Sequence, residues 1–231
     1  MAKNKIAGKL GKYINPHLRK RGFMLVPDKF SESHLREYNF NIATLIDIGV
    51  GSGTPSLYKL FSDSQIVMID PHPDTAELCS PWLNDPRFNM MLLNCAAGEN
   101  EAELSLTLSK NSSSFLERIG SVPDREKVTV KVHPLDSLVA KHGLKGPFGI
   151  KIDTEGFELG VIRGALNTLK SAEFVIAEVS VKERFVGGYT FSEFVGEMAL
   201  AGFEVTDVIS FPAHSRYVDM LFIPRKKQIL S

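Results

Sequence analysis

From Asn41 onward, hydrophobic positions gather into short dense runs separated by stretches with helical spacing. The runs at 44–49, 65–70, 88–95, 148–153 and 173–179 are nearly continuous, which predicts strands buried on both faces. Helices are expected between them. Residues 54–61 start with Thr54 as a candidate N-cap and Pro55 in the first turn. Residues 74–83 follow the breakers Pro71 and Pro73, with Asp74 as a candidate cap, and 158–169 and 191–201 complete the helices, the last stopped by Gly202. Two other runs, 103–109 and 127–133, alternate apolar and polar residues, as half-exposed antiparallel strands do. The last two strands are expected at 203–209 and 217–224.

Buried strands joined by helical crossovers predict an α/β fold, a mostly parallel sheet with helices on both faces. The alternating pair reads as a small antiparallel insertion. The pattern divides the chain into residues 1–40, a basic extension read as an arm or lid, and 41–231, the α/β domain. Ligands of such sheets bind at the carboxyl ends of the strands, near the switch in strand order. The chemistry is therefore sought at Gly49–Gly53, Asp70, Asn94–Ala97, Asp153–Glu158 and Glu178.

Composition narrows the classes. The chain has 231 residues, enough to bury a core without disulfides or metals. Lys and Arg total 27, as do Asp and Glu, so net charge gives no case for nucleic acid. No apolar run reaches the length of a membrane span, and two cysteines make neither a disulfide framework nor a zinc set. A cytoplasmic location is the expectation, and homo-oligomerisation is left open.

The first loop reads Asp47-Ile48-Gly49-Val50-Gly51-Ser52-Gly53. Alternating glycines let the chain turn sharply and let a ligand lie against main-chain atoms. A dinucleotide fingerprint needs its third glycine one place later, where Thr54 stands. Asp47 is poorly suited to a pyrophosphate and well suited to an ammonium group. D-x-G-x-G-x-G after a first strand is the arrangement that S-adenosylmethionine (SAM) sites use, so Asp47, Gly49, Gly51 and Gly53 are candidate cofactor contacts. Asp70 ends the second strand, where a carboxylate can accept from both hydroxyls of a ribose. Asn94, Cys95 and Ala96 are placed to flank an adenine.

Together these motifs resemble the FkbM family of SAM-dependent methyltransferases, over roughly Thr44 to Pro224. The strongest segment is Lys151-Ile152-Asp153-Thr154-Glu155-Gly156-Phe157-Glu158, which looks like the family's K-x-D-x-E-G-x-E block. Val161-Ile162-Arg163-Gly164-Ala165, Leu135-Asp136-Ser137-Leu138, Ser113-Ser114 and Asp70-Pro71 also fit, the last where the family usually has Glu-Pro. Val50 and Gly51 stand where the family has Ala and Asn, which removes a side-chain amide and leaves the backbone cradle. The resemblance implies a Rossmann-like class I methyltransferase fold with a seven-stranded sheet, SAM as cofactor, and transfer usually to oxygen.

Methyl transfer is an in-line displacement that needs an aligned acceptor and a place for its proton. Asp153 lies nearest the expected methyl position and is the candidate proton acceptor or orienting acid, besides a cofactor contact. Lys151 and Asp153 are expected on opposite faces of their strand's end. Glu178, ending the fifth buried strand, and His214, in the loop between the last two strands, are further catalytic candidates. Ser113, Ser114 and Glu155 are expected to border the acceptor, a hydroxylated small molecule, sugar or glycan. No metal is assigned, because no tight Asp/Asn cluster is visible. The alternatives are an NAD-dependent oxidoreductase, disfavoured by the early glycine and Asp47, and a non-catalytic SAM-fold binding or scaffold protein.

Overall fold

A computed structural model describes residues 13–26, 28–109, 112–120, 125–210 and 216–228. Among the described residues there are ten strands: β1 (Thr44–Ile48), β2 (Gln65–Ile69), β3 (Asn89–Leu93), β4 (Ala96–Gly98), β5 (Ala102–Thr107), β6 (Lys127–Pro134), β7 (Phe148–Ile152), β8 (Ala172–Ser180), β9 (Phe203–Ser210) and β10 (Tyr217–Pro224). Seven of them form one sheet in the order β3-β2-β1-β7-β8-β10-β9. β1 pairs in parallel with β2 and β7, and β7 in parallel with β8. β10 inserts antiparallel between β8 and β9. All five residues of β1 and all five of β7 are buried, because helices cover both faces.

The core is accordingly double. Ile46, Ile48, Ile150, Ile152, Val175 and Phe222 pack on one side of the sheet. Leu45, Ile66, Met68, Phe174, Ile176 and Leu221 pack on the other. The chain leaves β1 for β2 on one side and returns at β7 on the other, so the switch point lies between β1 and β7. There a Cβ on Gly49 would sit 1.8 Å from the carbonyl oxygen of Asp153, and Gly49 has φ +75°. Only glycine lets the two loops touch and adopts this backbone without strain.

Both the strands and the mostly parallel sheet read from the sequence are present, and four local differences have physical causes. The run at 88–95 ends early: after Leu93 the chain bends, and Ala96–Gly98 pairs in parallel with β6, which also pairs antiparallel with β5. The small insertion is thus three-stranded. Gly98 permits it, since a Cβ there would meet Val132 Cγ1 at 2.6 Å. The 74–83 helix is two single turns, Thr75–Leu78 and Ser80–Leu83, with Pro81 starting the second. The 158–169 helix breaks at Gly164, whose absent side chain lets it lie against the carbonyl of Gly98. A helix at Leu135–Lys141 was not anticipated. Its Asp136 accepts hydrogen bonds from the backbone N–H groups of Asn167 and Thr168 at 2.9 and 2.7 Å, so the Leu-Asp-Ser-Leu motif fastens the next helical turn.

Within the first forty residues, the part from Asp28 onward is docked. Lys29, His34 and Tyr38 converge on Asp207 of β9, and Phe40 packs on Phe174. Among the described residues, no helix is long and apolar enough to cross a membrane.

Candidate active site

A cavity of about 280 Å³ opens at the carboxyl edge of β1, β2 and β7. Gly49, Gly51, Asp70, Ala96, Ser113, Asp153, Glu155 and Glu178 all reach its wall. Asp70 is 7% exposed; its Oδ2 accepts from the backbone N–H of Gly51 (3.1 Å) and its Oδ1 from that of His72 (2.8 Å). The carboxylate is thus aimed across the mouth of the glycine turn, with lone pairs left over. Gly51 has φ +57° and open space where its Cβ would be. Buried hydroxyls also belong to this wall: the Oγ1 atoms of Thr75 and Thr154 have no hydrogen-bond partner among the described residues.

Several sequence candidates sit elsewhere. Asp47 is fully buried beneath the loop, where Oδ2 accepts from Tyr58 (2.6 Å) and Thr54 (2.8 Å) and Oδ1 lies 3.5 Å from Lys151 Nζ. Burial pushes its pKa up, against the charge of Lys151 and the two hydroxyl donors. Asn94 spends its amide on the carbonyls of Asp70 and His72, both 3.1 Å away, and so holds the turn that presents Asp70. Asn94 and Cys95 line a separate cavity beside His133. Gly53 packs under Trp82 and borders a second cavity of about 470 Å³. His214 lies outside the described residues.

Lys151 and Asp153 share a face, contrary to the expectation above: Lys151 Nζ donates to Asp153 Oδ2 at 3.2 Å. Strand alternation has a period of two, so residues two apart fall on the same side. Lys151 also donates to the carbonyl of Gly49 at 3.2 Å, tying β7 to the glycine loop. Burial opposes its charge, but Asp153 and Asp47 outweigh burial and its pKa is raised.

Glu155 has a left-handed backbone, φ +53°, which costs a non-glycine residue about 1–3 kcal/mol. Its carbonyl is held by Ser114 Oγ at 2.7 Å and its carboxylate by Arg118 (2.8 Å) and Arg184. Ser113 is engaged by the main chain of Ser109. Glu158 is buried and accepts from the N–H groups of Thr154 and Gly156 at 2.9 and 3.0 Å, which fixes the loop carrying Asp153 and Glu155.

Ligand oxygens of Asp153, Glu155 and Glu178 lie within 4.8 Å of one another, a cluster the linear sequence does not display. Three cations answer it: Lys151 on Asp153, Arg118 on Glu155, and Arg184 bridging Glu155 and Glu178. Arg184 lies between the rings of Phe185 (5.1 Å) and Tyr217 (4.4 Å). Sequence reasoning missed Arg184, which follows a polar turn and looks like a solvated charge. It also missed Asp219, although an acid inside the apolar β10 run was a signal. Asp219 pairs in register with Glu178 and lines the second cavity. Burial and Asp153 raise it to about 6.

Burial, with Asp153 adding to it, raises Glu178 to about 8 against the pull of Arg184. The folded protein then keeps a proton that the unfolded chain releases, so stability falls as pH rises from about 4.5 to 8 and levels above. Differential scanning calorimetry of Glu178→Gln should show this decline flattened. Parallel melting curves would mean that Glu178 ionises normally beside Arg184.

A mostly parallel sheet with a glycine turn after β1 and an acid after β2 defines a Rossmann-like α/β fold with a cavity at its switch point. Residues 47–205 match the family model described as the methyltransferase FkbM domain. The chain belongs to that family. Hexuronic acid methyltransferase AglP of Haloferax volcanii is 24% identical over 135 residues, 58% of this chain and 55% of that protein. The matched stretch thus spans about half of that relative. The crystal structure of methyltransferase FkbM from Methylobacillus flagellatus KT is similar in fold, with a TM-score of 0.53 and 16% identity over 78% of this chain and 43% of that one.

Proposed function

We propose that the protein transfers a methyl group from SAM to a hydroxyl oxygen of a sugar or similar polyhydroxylated acceptor. The observation that carries this is the cavity shared by the Gly49–Gly51 turn, Asp70 and Asp153. Its residues fit the cofactor: open space at Gly51 leaves the main chain bare, Asp70 offers acceptors for a diol, and Leu78, Ala97 and Phe157 supply apolar walls for a base. When bound, SAM supplies an electrophilic methyl group on sulfur.

The chain's own residues divide the remaining tasks. Asp70 grips the ribose, and Asn94 holds Asp70's turn. Asp47 acts from below the loop rather than on the ligand, through Tyr58, Thr54 and Lys151. Asp153 takes the acceptor's proton on Oδ1, the oxygen that Lys151 does not hold. The second cavity shares Asp153, Glu178 and Tyr217 with the first and adds Ser56, Ser210 and Asp219. Hydroxyls and acids of this kind suit an acceptor rich in OH groups, and the curated relative named for a hexuronic acid supports the sugar class.

Isothermal titration with S-adenosylhomocysteine (SAH), SAM and NAD tests this reading. SAH and SAM should bind and NAD should not. Asp70→Ala should weaken SAH about 100-fold, the loss of charge-assisted hydrogen bonds worth about 1.5–3 kcal/mol. Binding of NAD alone would overturn the proposal.

A further inference from the structure

Residues 13–26 form a helix and a turn followed by an irregular segment whose apolar side chains are exposed. A helix over 13–19 ends at Gly22, φ +79°, and Phe23 N donates to the Leu18 carbonyl at 3.0 Å. Asn15 then holds the returning segment through two bonds to the main chain of Leu25, at 2.7 and 2.9 Å. The backbone is therefore fixed, yet Phe23, Met24, Leu25 and Val26 are 67%, 53%, 51% and 61% exposed. Four consecutive apolar residues held in the open are unusual on a soluble surface.

Charge says what covers them. Arg19, Lys20 and Arg21 form the bend beside this segment, all exposed and without an ion pair among the described residues. Residues 1–31 hold eight Lys and Arg against one Asp, whereas the remaining 200 hold 19 against 26. The basic arm sits on an acidic body, so its fitting partner is anionic. Nucleic acid would meet the Arg-Lys-Arg bend but would leave Met24, Leu25 and Val26 bare. An anionic bilayer satisfies both halves: apolar side chains enter the acyl boundary while cations stay among the headgroups, and two such signals are what stable peripheral attachment requires.

We infer that the 19–26 segment docks the protein onto anionic membrane surfaces. Docking also places the site. Phe30, four residues beyond Val26, lines the second cavity, so its mouth lies within about 14 Å of chain from the bilayer.

Flotation of the full chain with vesicles tests the inference. The protein should float with vesicles of phosphatidylcholine containing phosphatidylglycerol and not with pure phosphatidylcholine. Arg19→Gln/Lys20→Gln/Arg21→Gln should weaken partitioning on the order of 100-fold at low salt. Phe23→Ser/Leu25→Ser should abolish the attachment that survives high salt, with SAH affinity unchanged. No preference for the anionic vesicles, or full attachment of the serine variant, would overturn the inference. So would a dimer in light scattering that the serine variant dissolves, since a second copy would then be the cover. A changed SAH affinity in the serine variant would instead make the segment a lid and overturn it as well.

Discussion

Asp153→Asn should lower the rate of methyl transfer by about 10²–10⁴-fold while SAH affinity stays within a fewfold of the parent. Asn is close in shape and keeps an oxygen for Lys151 Nζ, which now lies 3.2 Å from Oδ2. The neighbouring Glu158 latch on Thr154 and Gly156 is untouched, so the loop keeps its position. What disappears is the oxygen able to take a proton. The measurement is single-turnover release of SAH with an acceptor drawn from a panel of sugars and other hydroxylated compounds. Full activity in the Asn variant would leave Asp153 an orienting role only. Loss of SAH affinity together with the rate would make it a cofactor ligand. A second comparison separates Asp153 from its neighbours: Glu178→Gln should retain more activity, because Glu178 is tied to Arg184 at the other end of the acidic cluster and its burial disfavours the charged form.

How far the sequence led can be judged from particular residues. Strands such as Thr44–Ile48 and Phe148–Ile152 are legible because burial on both faces forces unbroken apolar runs. The glycine turn and Asp70 are legible because they follow such strands at a place where α/β sheets bind ligands. The parts that escaped are those decided across space. Asp47 looked like a ligand-facing acid, but Tyr58, eleven positions on, and Lys151, its register partner on the neighbouring strand β7, claim its carboxylate. Asn94 looked like a base reader, but two carbonyls of the Asp70 turn take its amide. Arg184 enters the acidic cluster only because the turn after β8 brings its guanidinium to Glu155 and Glu178, over the rings of Phe185 and Tyr217. The short strand Ala96–Gly98 carries no apolar run, since small residues are what let β6 and Phe157 approach.

Asp47→Ala should cost about 3–5 kcal/mol of stability, because it leaves a buried cation with one carboxylate fewer and removes an acceptor from a buried phenol. Lys151 is 5% exposed and Tyr58 wholly buried, so neither can turn to water for a replacement. For a domain of this size that loss lowers the melting temperature by roughly 6–20 °C. Asp47→Asn should fall between, since an amide oxygen can still accept from Tyr58 and Thr54 while giving no charge to Lys151. Thermal melts of both variants give the ranking. SAH titration well below the melting point gives the decisive comparison: with the loop folded, the Ala variant should bind SAH within about tenfold of the parent, because the carboxylate is absent from the cavity wall. A variant as stable as the parent but unable to bind SAH would return Asp47 to the ligand-contacting role that its position ahead of the glycines first suggested, and would require the loop to open in the bound state.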